Sequence, residues 1–200
     1  GVCITASHNP AKYNGYKAYG SDGCQITSEM ANDVSAEIAA TDIFEGVRCM
    51  SFDEGMKQGL ISWIPDKVMD EFLSAVESQK MIDEPCTGLK VVYTPLNGTG
   101  LIPVKRILDR IGVEEVTVVP EQEQPDGNFT TCPFPNPEIR EALQKGLELC
   151  EKVHPDLLLA TDPDADRCGI AVKQNGEYRL MTGNEVGVLL LDFIARRRME

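Results

Sequence analysis

The chain has 200 residues, 42% of them hydrophobic, with 19 basic against 32 acidic side chains and a formal net charge of −13. That is enough apolar matter for packed cores in one or two domains. The acidic balance argues against a nucleic-acid-binding surface and means that a phosphate ligand has to be captured by a local basic group or a metal ion.

Taken in chain order, residues 1–5 read as an apolar strand, of a kind that normally has partners on both sides. They enter a loop, Ala6-Ser7-His8-Asn9-Pro10, in which the proline pushes Asn9 towards extended backbone. Residues 16–19 and 24–26 are short strands flanking Gly20-Ser21-Asp22-Gly23, a hairpin signal. A helix begins near Thr27, with Met30, Val34 and Ile38 four apart. Residues 42–64 are poorly patterned. Pro65 opens another helix, with Val68, Met69, Phe72, Leu73 and Val76 on one face. Ile82-Asp83-Glu84-Pro85 marks a boundary.

Beyond it the pattern becomes regular. Strands are predicted at residues 90–94, 116–119 and 157–160, and helices are marked by Leu101, Val104, Ile107, Leu108 and Ile111, then by Ile139, Ala142, Leu143, Leu147 and Cys150. Residues 120–137, rich in proline and glycine, read as an irregular loop. Residues 168–173 and 178–181 flank Gln174-Asn175-Gly176-Glu177, a second hairpin signal, and Gly183-Asn184 starts a last helix. The β-α-β-α-β order predicts an α/β fold: an α/β/α layered domain with a mostly parallel mixed sheet, preceded by part of a similar domain. Ligands of such sheets sit beyond the carboxyl ends of the strands.

The stretch Thr161-Asp162-Pro163-Asp164-Ala165-Asp166-Arg167 lies at such an end. Pro163 forces a turn. Three carboxylates at alternate positions of a tight loop repel one another unless a cation holds them, and an all-oxygen donor set favours Mg²⁺ over Zn²⁺. A solvated acidic turn is the plainer alternative. A calcium-binding EF-hand loop starting at Asp162 needs Gly and Glu where Arg167 and Lys173 stand, so it is excluded. A phosphatase with an aspartate nucleophile has the right placement, although nothing flanking the loop singles out one Asp. Arg167 beside a metal suits a phosphate, which a guanidinium grips with paired hydrogen bonds. Ser7 also follows a strand, with His8 beside it and Lys17 ten residues on. A loop serine is ordinarily a turn former, and as a nucleophile it needs activation.

Thr5-Ala6-Ser7-His8-Asn9-Pro10, with Tyr13-Asn14-Gly15-Tyr16-Lys17, resembles the phosphoserine loop of the α-D-phosphohexomutase family. Asp162-Pro163-Asp164-Ala165-Asp166-Arg167 resembles its metal loop. Thr94-Pro95-Leu96-Asn97-Gly98-Thr99-Gly100, Pro125-Asp126-Gly127-Asn128-Phe129, Pro135-Asn136-Pro137-Glu138 and Thr182-Gly183-Asn184-Glu185 resemble segments of the phosphoglucomutase/phosphomannomutase branch. The resemblance implies that Ser7 carries a phosphoryl group and passes it to a hexose phosphate through a hexose bisphosphate. It also implies that Mg²⁺ is held by Ser7, Asp162, Asp164 and Asp166, that Arg167 binds phosphate, that Lys17 assists proton transfer or charge balance, and that His8, at a matching position of the catalytic motif, serves either in positioning or in structure alone. The family has four domains. By that likeness residues 1–83 are the end of domain I, residues 84–182 are domain II and residues 183–200 open domain III. The sugar-recognition and distal phosphate loops are not found, so phosphoglucomutase is preferred to phosphomannomutase or phosphopentomutase on branch likeness alone, and the piece by itself is expected to be inactive. A non-catalytic divalent-ion or sugar-phosphate binding module is the rival of another class; Ser7 with Lys17 is what such a module does not need.

The seven cysteines contain no C-x-x-C pair and sit mostly beside apolar runs, which suits reduced thiols and a cytoplasmic setting. The apolar run at residues 186–195 is too short for a membrane span and is broken by Gly187 and Asp192.

Overall fold

The computed structural model describes residues 1–199 and divides into two compact units, one formed by Gly1–Ile4 with Gly15–Val68, the other by Thr5–Asn14 with the chain from Met69 onward. In the first unit, β1 (Val2–Ile4) pairs antiparallel with β2 (Tyr16–Ala18), placing Cys3 opposite Lys17. Residues 24–26 form no strand; Gln25 makes a single bridge to Tyr19. The helix expected from Thr27 is α1 (Ser28–Ala40). The unpatterned stretch holds a six-residue helix, α2 (Phe52–Lys57), started by Ser51, whose Oγ accepts the Glu54 amide. That is a serine N-cap, in a helix too short to show periodicity. Helix α3 (Asp66–Glu77) follows Pro65 and runs from the first unit into the second.

The second unit is built on a five-stranded sheet in the order β4-β3-β5-β6-β7, with β3 (Lys90–Thr94), β4 (Glu115–Val118), β5 (Leu157–Thr161), β6 (Cys168–Gln174) and β7 (Glu177–Met181). β3 runs parallel to both β4 and β5, while the hairpin contributes both antiparallel pairings. Its turn places Asn175 and Gly176 at positive φ, as a two-residue turn that follows strand twist demands.

Both faces of this sheet are covered, which is why β3 and β5 carry the unbroken apolar runs Val91-Val92-Tyr93 and Leu157-Leu158-Leu159-Ala160. Val92, Leu158, Ala160 and Ala171 point to one side, against Leu143, Leu147 and Cys150 of the α6 segment (α6, Gln144–Val153). Val91, Tyr93, Leu157 and Leu159 point to the other, against Leu101, Val104 and Leu108 of α4 (Leu101–Arg110). The result is the three-layer α/β/α arrangement. Gly146 lets α6 close on the sheet: a Cβ there would lie 2.8 Å from Leu158 Cδ1. The α6 helix starts at Gln144, later than the apolar spacing suggested, because residues 139–143 form turns. The loop after β4 contains a short helix, α5 (Pro120–Glu123), with proline in its first turn. His154 ends α6 in a left-handed conformation. Helix α7 (Gly183–Met199) is the last element, and no helix among the described residues is long and apolar enough to cross a membrane.

Candidate functional site

The site lies where two loops of the second unit meet. One follows β5 and carries the aspartates; the other is residues 5–14, carrying Ser7. β5 ends at Thr161, and Pro163 prevents the ladder from continuing. The chain closes a tight turn, with Ala165 N donating to Asp162 O and Ala165 at a φ of 59°. This turn folds the alternate carboxylates together: oxygens of Asp162, Asp164 and Asp166 all lie within 4.8 Å of one another. Asp162 is fully buried, Asp164 half-buried and Asp166 exposed.

Asp162 is held from two sides. The Arg167 amide donates to its Oδ1 at 3.0 Å, and the Ser7 hydroxyl donates to its Oδ2 at 2.9 Å. Burial pushes the Asp162 carboxyl above the usual carboxylate range and Asp164 adds to this, while the Arg167 amide and the Ser7 hydroxyl oppose it. Burying one carboxylate beside another is costly without a cation. All three carboxylates offer hard oxygen, so the donor set fits a hard divalent ion, and no geometry beyond the cluster is needed to say that it could hold one.

Ser7 sits at a φ of 53°, left-handed backbone that costs a non-glycine residue about 1–2 kcal/mol. Its Oγ lies 3.1 Å from His8 Nδ1, and its amide donates to Thr5 Oγ1 at 2.8 Å. Thr5 in turn donates to Asp164 Oδ2 at 3.2 Å. His8 also lines a cavity of about 720 Å³ with Lys12, Tyr13, Phe134 and Asn136.

Behind the aspartate loop stands Asn97-Gly98-Thr99-Gly100. The Thr99 amide and hydroxyl both donate to Pro163 O, at 2.9 and 3.1 Å. A Cβ on Gly98 would lie 2.3 Å from Pro163 Cα, and one on Gly100 would meet Thr161 Oγ1 at 2.5 Å and the Tyr93 hydroxyl at 2.6 Å. Those two hydroxyls are themselves hydrogen-bonded at 2.8 Å, and burial pushes the Tyr93 phenol up to about 12. This glycine-rich turn is a brace for the aspartate loop.

Of the residues singled out from sequence, Ser7, His8, Asp162, Asp164 and Asp166 therefore come together. Arg167 contributes its amide to Asp162 and has an exposed side chain. Lys17 is on β2, in the first unit. Sequence reasoning missed Thr5 and Thr99: a threonine two residues before a turn serine is a known pattern for accepting that serine's amide, whereas the bonds of Thr5 to Asp164 and of Thr99 to Pro163 span 159 and 64 residues and have no local signal.

Residues 70–176 match the phosphoglucomutase/phosphomannomutase alpha/beta/alpha domain II, and residues 1–43 match alpha/beta/alpha domain I of the same group. The chain belongs to the phosphoglucomutase/phosphomannomutase family. It is 40% identical over 205 aligned positions to a phosphoribomutase of Saccharomyces cerevisiae, covering 94% of this chain and 33% of that protein. It is 38% identical over 198 positions to a phosphoglucomutase of Staphylococcus aureus, covering 96% of this chain and 35% of that protein. The chain thus spans about a third of the length of these phosphomutase relatives. A solved phosphoglucomutase/phosphomannomutase family protein of Burkholderia thailandensis shares the fold, with a TM-score of 0.69 at 21% identity over 98% of this chain and 38% of that one.

Proposed function

We propose that this chain is the catalytic-serine and metal-loop part of a phosphohexomutase that interconverts hexose 1-phosphate and hexose 6-phosphate through a phosphoserine and a hexose bisphosphate. The observation that carries this is the 2.9 Å hydrogen bond from Ser7 Oγ to Asp162 Oδ2, which joins residues 155 apart in sequence. It brings a strand-end hydroxyl onto a cluster of three carboxylates, an arrangement that a solvated acidic turn has no use for. On this reading residues 1–83 belong to domain I, residues 84–182 form domain II and residues 183–200 begin domain III. Free thiols at all seven cysteines fit action in a reducing cytoplasm.

Asp162, Asp164 and Asp166, with an oxygen on Ser7, would hold Mg²⁺, which when bound neutralises phosphoryl charge. The rest falls to the chain itself. Ser7 Oγ gives up its phosphoryl group to a hydroxyl of the sugar phosphate: the Oγ–P bond breaks, the sugar O–P bond forms, the hydroxyl proton passes to a base, and the released Ser7 Oγ takes up a proton. Returning the other phosphoryl group to Ser7 reverses these events at the opposite end of the sugar. Phosphoryl transfer is mostly positioning and charge stabilisation. Asp162 and His8 orient the free Ser7 hydroxyl that receives the returning phosphoryl group, Arg167 grips a phosphate with its exposed guanidinium, and Lys17 serves proton transfer or charge balance.

A pentose phosphate is the second candidate substrate, because the identity to a phosphoribomutase equals that to a phosphoglucomutase within a few per cent. Intact-mass measurement of the full-length protein after exposure to glucose 1,6-bisphosphate tests the central claim. Gain of one phosphoryl group, lost in Ser7→Ala, is expected; no gain favours a non-catalytic metal or sugar-phosphate binding module. Comparing kcat/KM for glucose 1-phosphate and ribose 1-phosphate decides ring size.

A further inference from the structure

We propose that Thr5 is a positioning residue that tethers the serine loop to the aspartate loop whether or not Ser7 carries a phosphoryl group. The role rests on the phosphoserine reading of Ser7. Two links join the loops. The first is the Ser7 hydroxyl donating to Asp162, and it requires the Oγ proton. A phosphorylated serine has no such proton, so this link is lost in the phosphoenzyme. The second runs from Asp164 through Thr5 to the Ser7 backbone and uses no atom of the Ser7 side chain.

The Thr5 hydroxyl has one proton and acceptor lone pairs. The Ser7 amide can only donate, which occupies a lone pair and leaves the hydroxyl to donate to the Asp164 carboxyl. The proton therefore points to Asp164 Oδ2 and a lone pair receives the amide. That amide belongs to a non-glycine residue at a φ of 53°, a conformation that the surrounding bonds must hold. Ala6 and Asn9 close the same turn through Asn9 N and Ala6 O at 3.1 Å, but this bond does not reach the aspartates. Thr5 thus fixes the direction of the Ser7 Cα–Cβ bond relative to the carboxylates.

The experiment uses the full-length protein with Thr5→Val, which keeps the shape and removes both hydrogen bonds, and Thr5→Ser, which keeps the hydroxyl. Thr5→Val should lower kcat roughly 100-fold with KM moved by less than about 3-fold, since small misplacement of reacting groups costs about that much. Thr5→Ser should stay within about 3-fold of the parent. Hydrogen exchange of the Ser7 amide should accelerate about 10-fold or more in Thr5→Val and stay unchanged in Thr5→Ser, as loss of one hydrogen bond allows. Parent-like kcat or exchange in Thr5→Val overturns the proposal, as does a serine variant as impaired as the valine one. If Thr5→Val fails to fold, parent-like turnover and exchange in Thr5→Ser support the role of the hydroxyl, and impairment there overturns it. If the parent protein takes up no phosphoryl group, the function proposed for Ser7 fails, and amide exchange alone decides the tether.

Discussion

Val92, Leu158, Ala160 and Ala171 on one face of the second unit's sheet, and Val91 and Tyr93 on the other, are each no more than 2% exposed. In the first unit Val2, Ile4, Met30, Val34, Ile38, Ile43, Phe44, Trp63 and Ile64 are all exposed, and Gly55 is the sole buried position among its described residues. Apolar residues are plentiful in both, so composition does not make the difference. What differs is whether an element finds a partner on each apolar side: β3 and β5 do, whereas among the described residues β1 pairs with β2 alone. The serine loop follows the better-packed unit. Residues 5–14 group with the sheet that carries the aspartates, while β1, directly before them in sequence, does not. The geometry of Ser7 is accordingly set by Asp162 and Asp164 and by the brace behind them, in loops that follow the buried strands β5 and β3.

The contrast is tested most severely by removing a core side chain. Leu158 is fully buried and packs against Gly146 of α6. Leu158→Ala should destabilise the second unit by about 3 kcal/mol, the usual cost of a large-to-small change at a site that collapses only in part. Chemical denaturation followed by circular dichroism measures it, and a loss below about 1 kcal/mol would mean that the sheet is not the stabilising centre.

That sheet was legible in the sequence because burial on both faces leaves apolar runs, and Leu157-Leu158-Leu159-Ala160 is short and bounded by Pro155 and Pro163, which favours strand over helix. The convergence of the aspartates was legible because Pro163 stops the strand and alternate positions of a tight turn bring carboxylates together. The five residues before α6 were not: Ile139, Ala142 and Leu143 have helical spacing and are turns, since apolar contact with the sheet produces the same pattern without helix. α2 was hidden because six residues show less than two turns of periodicity. Thr5 was hidden for a different reason. A hydroxyl's role depends on what the fold brings to it, here a carboxylate 159 residues away, and no local pattern encodes that. The grouping of residues 5–14 with the second unit is equally non-local.

Thiol chemistry sharpens the comparison with a smaller effect. Burial pushes the Cys132 thiol up to about 11 and, with the charge of Glu151, the Cys150 thiol to about 12, from an ordinary value of 9.0. Cys3, Cys24 and Cys49 of the first unit and Cys168 of the second are exposed. At pH 8 iodoacetamide should modify these four at least about 100-fold faster than Cys132 and Cys150, because the reacting species is the thiolate and it must be reachable. The sign with pH follows. Between the ordinary value and the raised ones the native state keeps protons that the unfolded state releases, so stability falls as pH rises from about 9 towards 11–12. Peptide mapping after a short pulse reads the labelling, and equal rates at Cys132 and Cys24 would remove the distinction between the units.

The smallest effect is expected at Val34. It lies on α1 in the first unit, 40% exposed, beside a cavity of about 680 Å³ shared with Ile43 and Val47. A side chain that is already partly in water and borders open space loses little when shortened. Val34→Ala should therefore change the stability of this chain by less than about 0.5 kcal/mol, in the range of ordinary surface substitutions. The value matters because Met30, Val34 and Ile38 recur at the spacing of a buried helix face, and that spacing predicts a cost of 2 kcal/mol or more, as for a core position. The two predictions cannot both hold for the same chain. A cost near zero in the 200-residue chain, measured by denaturation with α1 monitored through hydrogen exchange, would mean that the apolar face of α1 has no packing partner in it. A cost near that of Leu158→Ala would mean that the first unit has a core of its own, and the difference between the two units drawn here would be lost.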